Sequence, residues 1–280
     1  MKWLIYGASG WIGSQVVDIL LKQNEIVIKG ISRLDHENDV FDELEKEQPD
    51  RVISLIGRTH GEGYATIDYL EQKGKLVENV RDNLYSPLVL AIHCQKLNIH
   101  FTYLGTGCIF NGYLGYNEES KPDFFGSSYS VVKGFTDQLM HMFSNTLNVR
   151  IRMPITDEPN SRNFITKILN YKKICDMPNS MTVLPELLPM MIKMAKQKQT
   201  GTINLTNPGM ISHNEILEMA RVYVPNLQWE NMTLEEQSKM LKCERSNNLL
   251  LTDHLQSLFP EIMNIKQSVQ NVIHSYFNKQ

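Results

Sequence analysis

The chain has 280 residues, of which 42% are hydrophobic and 21% charged, with a formal net charge of -3. That supplies core for one large domain or a domain with a lobe. The balance gives no basic face for nucleic acid, and no run approaches the roughly 20 apolar residues that span a bilayer.

Lys2 to Tyr6 reads as a short buried strand that runs into Gly7-Ala8-Ser9-Gly10-Trp11-Ile12-Gly13. Trp11 to Lys22 then carries Ile12, Val16, Ile19 and Leu20 at helical spacing. Glycines at a strand-to-helix turn let the backbone bend sharply and approach a pyrophosphate. The free N–H groups and positive end of the helix then face that anion. Gly7, Ser9, Gly10, Trp11, Ile12 and Gly13 are the expected dinucleotide cradle. Glu25 to Lys29 is a second strand. NAD sites usually place an acid beyond it to hold the ribose 2′-hydroxyl. Here Ser32 and Arg33 stand at that distance, and they suit the 2′-phosphate of NADPH. Asp35 nearby keeps NADH as the alternative.

Val40 to Glu47 reads as a short helix stopped by Pro49, and Arg51 to Ile56 as a third strand. Glu78 to Leu97 is a long helical pattern with Pro87 inside, which predicts a kink or two helices. Phe101 to Leu104 is a fourth strand, Tyr129 to Phe143 a helix and Val149 to Met153 a fifth strand. The alternation predicts a Rossmann-type α/β fold, a doubly wound parallel sheet covered on both faces, over residues 1–154. After Pro154 the pattern changes. Helices are expected at Asn163 to Tyr171 and Pro185 to Lys196, with a strand at Thr202 to Leu205, so about 185–206 returns to the sheet. Ser212 with Glu215 and Thr233 with Glu236 are capping boxes, and a last helix starts near Asn264. Residues 155–280 are expected to form a smaller substrate lobe, with the cleft at the carboxyl ends of the strands.

Thr106, Tyr129 and Lys133 carry the redox chemistry. Hydride transfer to a ketone makes an alkoxide that needs a proton. Tyr129 and Lys133 share a helix face. A free phenol has a pKa of about 10, and an ammonium beside it favours the phenolate and lowers that value. Lys133 also suits the nicotinamide ribose, and Thr106, just past the fourth strand, suits the substrate carbonyl. The cysteines Cys94, Cys108, Cys175 and Cys243 are scattered, as reduced thiols of a cytoplasmic protein are. The histidines have no ligand spacing, so no metal is expected.

These residues resemble the extended short-chain dehydrogenase/reductase superfamily over the whole chain. The resemblance implies a catalytic Thr106, Tyr129 and Lys133, with Asn83 shaping the substrate site. Gly105 to Phe110 is similar to the corresponding segment of dTDP-4-dehydrorhamnose reductases, but with Gly107 and Cys108 in place of Asp and Tyr. That departure, with Arg150 to Ile155, Arg162 to Lys167, Pro178 to Thr182 and Arg245 to Asn248, resembles the bifunctional 3,5-epimerase/4-reductases of UDP-L-rhamnose synthesis in plants and large viruses. The resemblance implies UDP-4-keto-6-deoxy-D-glucose as substrate and Cys108 and Lys167 as the epimerase acid–base pair. Chemistry agrees: a 4-ketone acidifies C3–H and C5–H, and a thiolate near a cation is a base. Arg152, Asn163 and Arg245 are expected at the substrate diphosphate and uridine. A homodimer through the Tyr129 helix and the long helix before it is also implied. The rival readings are a reductase alone and an NADP-binding regulatory subunit.

Overall fold

The computed structural model describes residues 1–279. β1 (Lys2–Tyr6) is almost wholly buried, and α1 (Trp11–Lys22) packs its Val16, Val17 and Leu20 stripe against the sheet. β2 (Ile26–Lys29), α2 (Glu37–Glu47) and β3 (Arg51–Ser54) follow. A 3-10 turn (Ile67–Glu71) leads to α3 (Leu76–Val80), a π segment (Arg81–Tyr85) and α4 (Ser86–Lys96). The break expected at Pro87 is this π segment. Proline has no N–H to bond the carbonyl four residues earlier, which belongs to Asn83. Thr136 Oγ1 donates to that carbonyl at 2.7 Å instead.

β4 (His100–Thr106) is longer than its apolar run, because polar Thr102 and Thr106 are buried in it as well. Thr106 is therefore the last residue of the strand rather than just past it. β5 (Gly112–Tyr116), α5 (Ser128–Met140) and β6 (Thr146–Ile151) come next. Then come α6 (Phe164–Ile168), β7 (Lys173–Cys175), α7 (Leu184–Lys196), β8 (Gly201–Asn204) and α8 (His213–Arg221). The chain closes with β9 (Glu230–Met232), α9 (Leu234–Met240), β10 (Asn248–Leu250), α10 (Asp253–Leu258) and α11 (Ile265–Asn278).

The main sheet is parallel throughout, in the order β2-β1-β3-β4-β6-β8. Strand order reverses between β1 and β3, and ligands bind such sheets at that crevice. One apolar layer packs α1 and α7 on one face, around Trp3, Ile5 and Val149. A second packs α2 and α4 on the other, around Leu4, Phe101 and Tyr103. A third core, with Ile165, Ile216, Val269 and Ile273, belongs to α6, α8 and α11. β10 pairs with β5 and β7 with β9, so two short ladders join distant parts of the chain. Both expected capping boxes are formed. Among the described residues no helix is long and apolar enough to cross a membrane.

Candidate active site

At the end of β1, Gly7 takes φ +80°, where a side chain is strained, and a Cβ on Gly13 would stand 2.0 Å from Gly7 O. Gly10 caps α1 with no side-chain acceptor, and its own N–H bonds Gly7 O at 3.0 Å. The first turn of α1 thus presents free N–H groups over a floor that only glycine leaves open. These residues fit a dinucleotide pyrophosphate. At the end of β2, Arg33 is bonded to Asp35 at 2.8 and 3.1 Å, and its side chain stays 66% exposed. It borders a cavity of about 280 Å³ with Ser32, Asp35, Ile56 and Arg81. Glu43, which the sequence does not single out, accepts from the N–H groups of Ile31 and Ser32 and from the Tyr6 hydroxyl. It fixes the backbone that leads into Ser32 and Arg33.

Thr106, Tyr129 and Cys108 converge at the ends of β4 and α5. Thr106 Oγ1 accepts from Cys108 N at 3.1 Å, and Tyr129 stands beside this pair. Ser127 caps α5 and starts the helix that carries Tyr129 and Lys133. The lysine does not lower the phenol's pKa as the shared helix face suggests. Lys133 Nζ donates to the Tyr103 hydroxyl, while burial and charge at Cys108 push Tyr129 above its ordinary value, with the Thr106 side chain opposing them. Burial draws Lys133 down to about 8. Tyr69, Leu70 and Cys108 pack around Tyr129, so the 3-10 turn covers its phenol.

Arg152 does not open onto a substrate cleft. It is 1% exposed, and its guanidinium bonds Gly107 O at 3.3 Å, Ser246 Oγ at 2.8 Å, Ser246 O at 3.0 Å and Asn179 Oδ1. Its Nη1 also lies 3.7 Å from Cys108 Sγ. Among the described residues it has no carboxylate partner, and the Cys108 sulfur is the one ionisable atom bonded to it. Asn248 completes this web by donating to Gly107 O and Phe110 O at 2.8 and 2.9 Å.

Asn163 is fully buried too. Its amide is spent on Thr156 O, Glu158 O and the N–H of Ile165, capping α6. It positions the helix of Lys167 and has no free surface for substrate. Asn83, also 0% exposed, clamps Arg58 through the main-chain N–H and O, both at 2.9 Å. Lys167 is half-buried and stands with Arg162 and His60. Burial and Arg162 lower the lysine, and burial with Arg162, Arg58 and Lys167 lowers the imidazole. No hydrogen bond joins Lys167 to Cys108 among the described residues. Arg245 pairs with Asp68 and Cys243 Sγ, and it borders a cavity of about 320 Å³ with Asn111, Tyr113 and Gln237.

Residues 3–156 match the model of the NAD dependent epimerase/dehydratase family. The chain is 61% identical to a protein of Acanthamoeba polyphaga mimivirus over 98% of both chains. It superposes on the crystal structure of the mimivirus UDP-rhamnose synthase with a TM-score of 0.97, at 60% identity, covering 98% of this chain and 99% of that one. It is 42% identical to the bifunctional dTDP-4-dehydrorhamnose 3,5-epimerase/reductase of Arabidopsis thaliana, covering 96% of this chain and 91% of that protein. At 17% identity it shares the fold of a Bacillus anthracis dTDP-4-dehydrorhamnose reductase solved with NADP, with a TM-score of 0.81, covering 100% and 99% of the two chains.

Proposed function

The chain belongs to the NAD dependent epimerase/dehydratase family, and on that footing we propose that it epimerises C3 and C5 of UDP-4-keto-6-deoxy-D-glucose and reduces C4 to give UDP-β-L-rhamnose. The observation that carries the epimerase half is the Cys108 thiol held 3.7 Å from a buried guanidinium that lacks a carboxylate partner. Buried charges need a counterion. A thiolate at Cys108 supplies one to Arg152, and a thiolate beside a ketose is a base for C3–H and C5–H. Lys167, with its pKa lowered by burial and Arg162, returns the proton from the opposite face.

NADPH, when bound on the glycine cradle, supplies the hydride for C4. Thr106 holds the ketone oxygen, and Tyr129, whose raised pKa keeps it protonated, delivers its proton there. Arg33 and Arg81, which line the 280 Å³ cavity, would hold the 2′-phosphate. Arg245 and the 320 Å³ cavity take the uridine diphosphate end. Val77, Val80, Tyr85 and Phe135 are exposed on the helices of the expected dimer face, which supports a homodimer. The enzyme works in the cytoplasm.

The test is one reaction in deuterated water with NADPH and UDP-4-keto-6-deoxyglucose. Rhamnose carrying deuterium at C3 and C5, with NADPH consumed, is the expected result. Reduction without deuterium at those carbons leaves a 4-reductase and makes Cys108 and Lys167 ordinary residues. In Cys108→Ala the exchange is expected to vanish, and full exchange in that variant removes the cysteine from the mechanism.

A further inference from the structure

Tyr103 lies in the middle of β4, in register with Ser54 of β3 and Asn148 of β6, and is 1% exposed. A phenol buried that deeply must place its hydroxyl. It accepts from Lys133 Nζ, which also stands 4.6 Å from the centroid of the same ring. Lys133 is 4% exposed, so its ammonium has left water and depends on the acceptors the fold provides. Among the described residues the Tyr103 hydroxyl is the one acceptor bonded to it. Asp137, one turn along α5, is occupied by Arg150 at 2.8 and 2.9 Å and by Asn148 at 2.8 Å. Gly105 keeps this strand face clear, since a Cβ there would stand 2.8 Å from Asn148 Oδ1 and 3.5 Å from the Tyr103 ring.

We propose that Tyr103 is a positioning residue for the reductive step, its phenol oxygen being the acceptor that keeps the Lys133 ammonium buried and charged. The proposal rests on the reading of Lys133 as the lysine of reduction. The titratable groups facing it are Tyr129 and Asp137 on α5, Tyr103 on β4 and Cys108 just after β4. From β6, Arg150 meets Asp137, with His141 beside them. The charges on the packed helices are spent on one another: Glu78 on Lys75, and Asp82 on Arg58 and Arg81, while Glu71 accepts from Ser128. Burial lowers Lys133 to about 8, with Asp137 and Cys108 opposing. Its proton is therefore at stake near neutral pH. Removing the acceptor disfavours the charged form and moves that titration further down.

The test is Tyr103→Phe, which keeps the ring and removes the hydroxyl. Two readouts are taken. In the protein without cofactor, the Lys133 titration is followed by NMR of 13C-labelled lysine, assigned with Lys133→Arg. Its midpoint is expected to drop by about one pH unit, the effect of losing a hydrogen bond to a charged group. In the full reaction the alkaline limb of C4 reduction is expected to move down by the same amount. Reduction then falls about fivefold at pH 8 and much less at pH 6.5. Deuterium exchange at C3 and C5 stays within about twofold and reports an intact fold. An unmoved Lys133 midpoint overturns the proposal, as does a uniform loss of both activities at every pH. Wild-type protein that never consumes NADPH overturns the reductase reading instead, and the NMR titration still decides whether Tyr103 sets the lysine's charge.

Discussion

The turn from β1 into α1 and the turn after β4 both lean on glycine, but they are held in different ways. Gly7, Gly10 and Gly13 build their cradle from backbone alone, within one turn of chain. Gly107 and Cys108 are held by Arg152 and Asn248, themselves fixed by Asn179 and Ser246, side chains brought from three other parts of the chain. In the first region space is the working quantity, and a single methyl group is felt as a collision. In the second it is hydrogen bonding to a buried cation, and a change is felt as unpaired polar atoms.

Gly13→Val tests the first region and carries the largest expected effect. Its branched side chain meets Gly7 O, already 2.0 Å from a bare Cβ. NADPH affinity is expected to fall by more than about 100-fold in a fluorescence titration. Affinity within threefold of wild type would mean the turn relaxes freely. Arg152→Met tests the second. Four acceptors each lose a donor, Asn248 remaining to three of them, so unfolding by urea should show a loss of about 3 kcal/mol. C3 and C5 exchange should fall with it. A variant as stable as wild type would reduce the web to packing.

A third expectation separates charge from space. Arg150, His141 and Asn148 hold Asp137 at about 2, against about 3.9 for a free aspartate. A depressed acid contributes stability that is present above pH 4 and lost as the pH falls from 4 towards 2, here about 2–3 kcal/mol. The difference in urea stability between wild type and Asp137→Asn should be full at pH 7 and should shrink steadily below pH 4. A constant difference would assign the effect to shape. The smallest effect belongs to the exposed Arg33. Arg33→Ala is expected to raise KM for NADPH about tenfold and to leave KM for NADH unchanged. Equal changes for both cofactors would remove it from the 2′-phosphate.

The same contrast explains what could be read along the chain. The glycine turn and the spacing of Tyr129 and Lys133 are local, and β1 and α1 end at the residues their apolar pattern predicts. β5 and β10 were not legible, because each becomes a strand only by pairing with a partner more than 130 residues away. Arg152 and Asn163 look like ligand residues by type. Their partners Ser246 and Thr156 decide otherwise, and nothing near them in the sequence marks that. Tyr103 passes for a core aromatic until α5 lays Lys133 against it. Lys167 was legible only through resemblance, since its neighbours Arg162 and His60 meet across the fold.

Asn83 faces two ways at once. Its side chain grips the main chain of Arg58 beyond β3, and its own carbonyl, released by Pro87, is taken by Thr136 on α5. Thr136 sits less than one turn from Lys133. The loop after β3 and the helix bearing Lys133 are thereby geared together through one residue. A proline that costs the helix a hydrogen bond supplies the tooth of that gear. The Arg58 loop and α5 are thus joined by an unbroken run of side-chain bonds through one buried asparagine.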